Sequence, residues 1–398
     1  MTNGPGINRI QLPIGFRSSG INCGVRKYRP DIGILFSDRD CVAAGVFTTN
    51  ECKAAPVLYS KRILPSQKIR GIVTNSGQAN AATGAEGVAR NKKMVEAAAK
   101  ALGCKPNQVL AASTGVIGHQ IDIEKITEAM PLLVDRSSDV AEPFALAILT
   151  TDLVPKTVTT TVKLTGGEVR ITGISKGSGM IHPNMATMLG YLVTDCEIPE
   201  NLAHALLQEA NSVSFNMISV DGDTSTNDCV FFLANGASGV GFANDDDYAL
   251  FRKAMIDIAQ VLAKAIARDG EGADKLIEVN IRQAPTKKVA VKAARGITVS
   301  PLIKSAIQGA DPNWGRILAR LGAEQVPAKC LEKMTLRVQG AILFEKGAPA
   351  NFIRDEVKAL LKTDTVVIDV DLQSGEEEAT AWGCDLTKRY VDINTEYN

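Results

Sequence analysis

Lys176-Gly177-Ser178-Gly179-Met180-Ile181-His182-Pro183-Asn184-Met185-Ala186-Thr187-Met188-Leu189-Gly190-Tyr191-Leu192-Val193-Thr194-Asp195 governs how the rest of this chain is read. A segment dense in turn formers runs into an apolar, strand-like stretch, Met188 to Val193. One threonine, Thr187, stands at the junction behind a small residue. A hydroxyl is a poor nucleophile at neutral pH and needs a base beside it. If the chain breaks before the threonine, the new α-amino group, with an ordinary pKa of about 7.7 to 8, is that base. The plainer alternative is that Thr187 simply opens a strand, a place that β-branched residues suit.

The chain has 398 residues, enough for two domains or one large layered domain with an ample core. Its 44 basic and 44 acidic side chains cancel, so no global charge excess points to nucleic acid or an anionic membrane surface. No apolar run approaches the roughly 18 residues of a membrane span, and the N-terminus lacks the basic and apolar regions of a secretory signal. The eight cysteines are scattered singly, with no Cys-x-x-Cys pair, a usage that points to reduced thiols and a cytoplasmic protein.

With His119, His182 and His204 far apart, neither a histidine metal site nor a Ser-His-Asp triad is expected. Asp221, Asp223 and Ser225 have the opening spacing of a calcium loop. Loop positions six and twelve hold Thr226 and Phe232 instead of glycine and an acid, so this is expected to be a structural or site-shaping turn. Gly177-Ser178-Gly179 lacks the third glycine and the strand-turn-helix setting of a dinucleotide fingerprint. No metal and no bound cofactor are expected.

Helical periodicity predicts helices over Ala89 to Leu102, Glu200 to Asn211, Tyr248 to Arg268 and Ala350 to Leu361. In the third, Leu250, Ala254, Ile258, Leu262 and Ala265 share a face, and Asp245 to Asp247 are expected to cap it. Strands are predicted at Gly71 to Thr74, Val109 to Ser113, Val158 to Leu164, Val169 to Ile174, Met188 to Val193, Val230 to Leu233, Leu276 to Ile281, Thr335 to Val338 and Val366 to Val370. Gly166-Gly167 is predicted to turn a hairpin. Strands outnumber helices and often adjoin one another, which predicts a layered α/β or α+β fold of sheets covered by helices.

The segment Lys176 to Leu189 resembles the self-cleavage segment of the ornithine acetyltransferase (glutamate N-acetyltransferase) family of arginine biosynthesis. Further matches are Thr74 to Ala81, Ser113 to Gly118, Ala147 to Asp152, Ser219 to Asp228, Arg268 to Ala273 and Asp311 to Ile317, so the likeness covers nearly the whole chain. It implies a sandwich of central sheets between helix layers, with a self-processing architecture of the N-terminal-nucleophile kind. It also implies autocatalytic cleavage between Ala186 and Thr187. An N-terminal α chain (1–186) and a C-terminal β chain (187–398) would then build one fold, assembled as two α and two β chains.

The activity implied is ping-pong transfer of acetyl from N2-acetylornithine to glutamate through an acetyl-threonine at Thr187, with Thr114 and Gly115 as the oxyanion hole. Donors there matter because charge develops on the carbonyl oxygen. Read without the resemblance, Ser113 to Gly118 is a strand ending in a glycine turn, and Glu271 stands in a solvated helix end. With it, Thr150, Lys176, Thr187, Glu271 and Asn394 line the substrate site. Glu271 and Lys176 have the charges to grip a zwitterion from both ends. If Ala147 to Asp152 is extended, Thr150 and Thr151 face opposite sides, and Thr150 is chosen.

Some family members also take acetyl from acetyl-CoA, a candidate co-substrate here that would make the enzyme multifunctional. With no nucleotide-phosphate loop in the chain, labelling by it is expected to be weak. The family's terminal threonine or serine is missing from Ile393-Asn394-Thr395-Glu396-Tyr397-Asn398. Two other readings are a self-processing aminopeptidase or amidase of the same architecture, and a non-enzymatic small-ligand-binding protein. Acetyl exchange against amide hydrolysis separates the first, and a denaturing gel the second.

Overall fold

A computed structural model describes residues 9–182 and 188–396. Among these residues fifteen strands run in chain order: β1 (Phe16–Ile21), β2 (Ile32–Phe47), β3 (Ser66–Gln78), β4 (Val109–Val116), β5 (Lys156–Leu164), β6 (Gly167–Lys176), β7 (Leu189–Thr194), β8 (Ile218–Ser219), β9 (Cys229–Ala234), β10 (Leu276–Ala284), β11 (Thr335–Val338), β12 (Ala341–Glu345), β13 (Ala348–Pro349), β14 (Thr365–Asp371) and β15 (Glu377–Cys384). They form mixed sheets flanked by helices, in two compact units with one sheet each.

The first unit comprises residues 9–177, 188–211 and 224–262. Its eight-stranded sheet has the order β4-β3-β2-β9-β7-β6-β5, with β1 on β2. β3/β4 and β7/β9 are parallel and the other pairs antiparallel. Both faces are apolar. On one, Ile32, Ile34 and Val73 meet Met94, Val95 and Ala98 of the helix Gly84–Leu102 and Ile126, Met130 and Leu133 of the helix Ile123–Asp135, all at helical spacing. On the other, Leu35, Ile72, Leu110, Ile174, Tyr191 and Phe231 pack with Phe144 and Ala145 of the helix Glu142–Ala147.

The second unit comprises residues 178–182, 212–223 and 263–396, around the sheet β13-β12-β11-β14-β10-β15-β8. Ile277, Val279 and Ile281 of β10 alternate, as do Val366, Ile368 and Val370 of its parallel neighbour β14. The helix Lys287–Val299 packs on β10 and β15. Thr286 caps it by accepting from Val289 N at 3.3 Å.

All four predicted helices and all nine predicted strands form, with shifted ends. The long helix is Asp245–Arg268. Its cap is Asn244, whose Oδ1 accepts from Asp247 N at 2.8 Å, so Asp245 to Asp247 form the first turn and not the cap. The last predicted helix starts only at Arg354. The β5–β6 hairpin pairs Leu164 with Gly167, so Thr165-Gly166 is the turn and Gly167 already belongs to β6.

Tyr191, fully buried at the centre of β7, shares a hydrogen bond of 2.9 Å with Thr74 Oγ1 and meets Phe144 edge to face at 4.8 Å. Tyr191→Phe strands one buried hydroxyl and is expected to cost about 1 kcal/mol. Phe144→Ala empties a ring-sized space and is expected to cost about 3–5 kcal/mol. Denaturant titration of the purified variants measures both.

Candidate active site

Three strand ends line up in the first unit. Lys176, last in β6, stands opposite Leu189, first in β7, and Leu189 stands opposite Cys229, first in β9. Met188 O accepts from Cys229 N at 3.1 Å. Thr187 and Ala186 lie outside the described residues, but Thr187 is two residues upstream of Leu189 in the chain.

The buried Lys176 Nζ donates to Thr150 Oγ1 at 3.0 Å and to Thr114 Oγ1 at 3.3 Å. Thr114 and Gly115 stand just before Val116, the last residue of β4, opposite Ser76 and Gly77 of β3. Gly115 has φ +131°, and a Cβ there would lie 2.2 Å from the Gly77 carbonyl carbon, so only glycine fits. Thr150 lies in a bend after the helix Glu142–Ala147 and not in extended chain. Alternation therefore does not decide between Thr150 and Thr151, but the contact with Lys176 puts the Thr150 hydroxyl in this cluster.

Two buried acids nearby were not singled out by sequence reasoning. Asp152 Oδ1 accepts from Lys156 Nζ at 2.8 Å and Gly177 N at 2.7 Å, and its Oδ2 accepts from Thr150 N at 3.1 Å and lies 4.0 Å from Lys176 Nζ. Burial alone would raise its pKa. The ammonium groups of Lys176 and Lys156, with these hydrogen bonds, instead hold it well below the usual carboxylate range. At Asp228 burial wins and pushes the carboxyl well above its ordinary value, against the weaker pull of Ser225 hydrogen bonds and the Lys176 charge. Asp228 Oδ2 has no hydrogen-bond partner. Next to it, Asn227 Nδ2 donates to Ala79 O at 2.5 Å and Ser113 O at 2.8 Å, tying the start of β9 to the Thr114 segment. The only sequence signal for either acid is its place inside a family-like motif, Ala147 to Asp152 or Ser219 to Asp228.

The second unit brings together the other two expected residues. Asn394 Nδ2 donates to Glu271 Oε2 at 2.9 Å, and Glu271 N donates to Ser178 O at 3.1 Å. A Cβ at Gly179 would stand 2.3 Å from Glu271 Oε1, so this carboxylate can sit there only over glycine. The missing C-terminal hydroxyl falls at residues 397–398, outside the described residues.

Asp221 uses its carboxylate on backbone, accepting from Met180 N at 2.6 Å, Ile181 N at 2.9 Å and Asp223 N at 3.1 Å. Val220 N donates to Ile181 O at 2.7 Å. The turn that superficially matched a calcium loop thus grips the chain just upstream of the expected cut. His182 continues the grip. The Arg295 guanidinium donates to its Nε2 at 3.1 Å, which leaves the proton on Nδ1 to donate to Ser219 Oγ at 3.1 Å.

The model of the ArgJ family matches residues 17–398. The chain belongs to the ArgJ family. It is 45% identical to the arginine biosynthesis bifunctional protein ArgJ of Dehalococcoides mccartyi, over 98% of this chain and 96% of that protein. It is 44% identical to the protein of the same name from Thermotoga neapolitana, over 97% of this chain and 99% of that one. Among solved structures, the arginine biosynthesis bifunctional protein ArgJ of Bacillus halodurans is 40% identical with a TM-score of 0.51, covering 52% of this chain and 99% of its own.

Burial, then the charges of Arg295 and Arg320, lower the His182 pKa from 6.5 to about 4. Between those values the unfolded chain binds a proton that the folded one does not. Stability is therefore lost as pH falls from about 6.5 towards 4. His182→Asn is expected to flatten that part of the profile, and thermal melts across this range check it.

Proposed function

We infer that this protein is an acyltransferase of arginine biosynthesis that moves an acetyl group from N2-acetylornithine to glutamate, giving ornithine and N-acetylglutamate. Membership of the ArgJ family over nearly the full length carries this reading. The site geometry supports it: Thr114, Thr150 and Lys176, three residues of the family-like motifs, converge at the strand ends where the chain resumes after Thr187.

In the proposed mechanism the chain cleaves itself between Ala186 and Thr187. The new α-amine takes the Thr187 hydroxyl proton as the oxygen attacks the acetyl carbonyl, and Thr114 and Gly115 stabilise the oxyanion. The α-amine passes that proton to the departing nitrogen, so collapse breaks the C–N bond, expels ornithine and leaves an acetyl ester on Thr187. The glutamate amine then attacks that ester, and its proton passes through the α-amine to the Thr187 oxygen as the C–O bond breaks, restoring the hydroxyl and releasing N-acetylglutamate. Lys176 suits the carboxylate of each amino acid, and Glu271, held by Asn394, suits the cationic end of ornithine.

The Bacillus halodurans relative supports cleavage, because nearly all of that solved chain matches only about half of this one, the share expected of one fragment. The eight-stranded sheet supports a lasting association of residues 1–186 with 187–398. It takes β1–β6 from the first and β7 and β9 from the second. We further propose an assembly of two α and two β chains in the cytoplasm. All eight cysteines are free thiols, and no helix among the described residues is long and apolar enough to cross a membrane. Against the weak labelling expected from the lack of a nucleotide-phosphate loop, acetyl-CoA is proposed as a second donor to the same threonine, because the relatives are designated bifunctional.

Active protein is expected to run as two bands on a denaturing gel, the second beginning at Thr187. Thr187→Ala is expected to give one uncut, inactive chain. A single band from active protein would refute the cut. Mixing processed protein with N-acetylornithine and no acceptor is expected to add an acetyl group to the Thr187 fragment, read by mass spectrometry. No adduct under conditions of steady exchange would argue for direct transfer. The same experiment with acetyl-CoA decides the second donor. Glu271→Gln and Lys176→Met, once processed, are each expected to lower kcat/KM by roughly tenfold to more than a hundredfold.

A further inference from the structure

We propose that Asp152 is a positioning residue for the acetyl transfer: its sealed carboxylate sets where the Lys176 ammonium and the Thr150 hydroxyl stand, and so how tightly the carboxylate of the amino-acid donor is held. This rests on the functional reading above and adds a residue that the motif comparison gave no role.

The Asp152 side chain is fully buried, and Lys156 Nζ at 2.8 Å already gives it an opposite charge. If neutralising that acid were its whole purpose, the pair would suffice. The remaining donors come instead from the two sides of the site. Oδ2 holds Thr150 by its own backbone N–H, and Oδ1 holds Gly177 N, the residue that follows Lys176. One carboxyl thus pins the loop carrying Thr150 to the end of the strand carrying Lys176.

The Lys176 side chain is a flexible stem, and hydroxyl groups are weak anchors for its ammonium. Thr114 and Thr150 supply oxygens at 3.3 and 3.0 Å, and Asp152 Oδ2 adds a negative charge at 4.0 Å in a buried setting, where screening by water is small. Asp152 makes no direct claim on a substrate, so its influence passes through Lys176 and Thr150. Asparagine in its place keeps the size, removes the charge and turns an amide donor towards groups that are themselves donors.

The test is a double-mutant cycle on self-processed protein, reading kcat and KM for N-acetylornithine in wild type, Asp152→Asn, Lys176→Met and the double variant. Asp152→Asn is expected to raise KM about tenfold to a hundredfold while kcat stays within about threefold. Added to Lys176→Met, the same change is expected to move KM by less than about threefold, because the group through which it acts is gone. Asp152→Glu, which keeps the charge, is expected to recover part of the loss. KM losses that multiply in the double variant, or an unchanged KM in Asp152→Asn, overturn the proposal. If Asp152→Asn alone does not accumulate as folded protein, Lys176→Met against the double variant still decides, since the double variant removes opposite charges together. Wild-type protein without acetyl transfer would instead refute the functional reading, whereas an active wild type with a failed cycle refutes only the role of Asp152.

Discussion

The first unit depends on β7 keeping its place between β6 and β9. All six of its residues are buried, and it pairs with one neighbour antiparallel and with the other parallel. A strand enclosed on both edges and both faces has its register fixed by every side chain at once, since a slip of one residue would drive the Tyr191 ring into the opposite packed face, away from Phe144 and Thr74. That register puts Lys176, Leu189 and Cys229 in one row, so the positions of Lys176 and of the start of β7 follow from sheet geometry before any polar contact forms.

The polar contacts then show how one residue type serves two ends. Asp152 and Asp228 are both sealed from water and both feel Lys176, yet their carboxyls shift in opposite directions. Three donors hydrogen-bond the first, one of them the Lys156 ammonium, and the Lys176 charge stands at 4.0 Å, so its charge is retained. The second meets mainly Ser225 and keeps its proton more readily. Sequence carries no trace of this difference, because Asp152 combines its local partners Thr150 and Lys156 with the distant Lys176 and Gly177, and burial comes from the whole sheet.

The layered α/β class, the nine strands and the long helix were legible because their apolar periodicity is local. β2 was not, because Ser37-Asp38-Arg39-Asp40 interrupts its pattern where the pairing with β3 shifts register, although the strand runs on to Phe47. The helix Lys287–Val299 was missed because its Val, Thr and Ile residues read as neither period. Family-like motifs pointed to Thr114, Thr150 and Lys176 in the first unit and to Glu271 and Asn394 in the second. They did not find Asp152, or the hold of Asp221 and Arg295 on residues 180–182, because those depend on which distant backbone amides and side chains the fold presents.

Interleaving strands from both sides of residue 186 in one sheet also makes order of events part of the chemistry. β6 must find β7, and β7 must find β9, while all three still belong to one polypeptide. A chain severed in the unfolded state would turn that search into an encounter of two molecules, with the loss of translational freedom that such an encounter carries. Under the proposed cleavage, the broken peptide bond is a covalent record that folding came first. The amine that would drive acetyl transfer then comes into existence only in molecules that have already assembled their core.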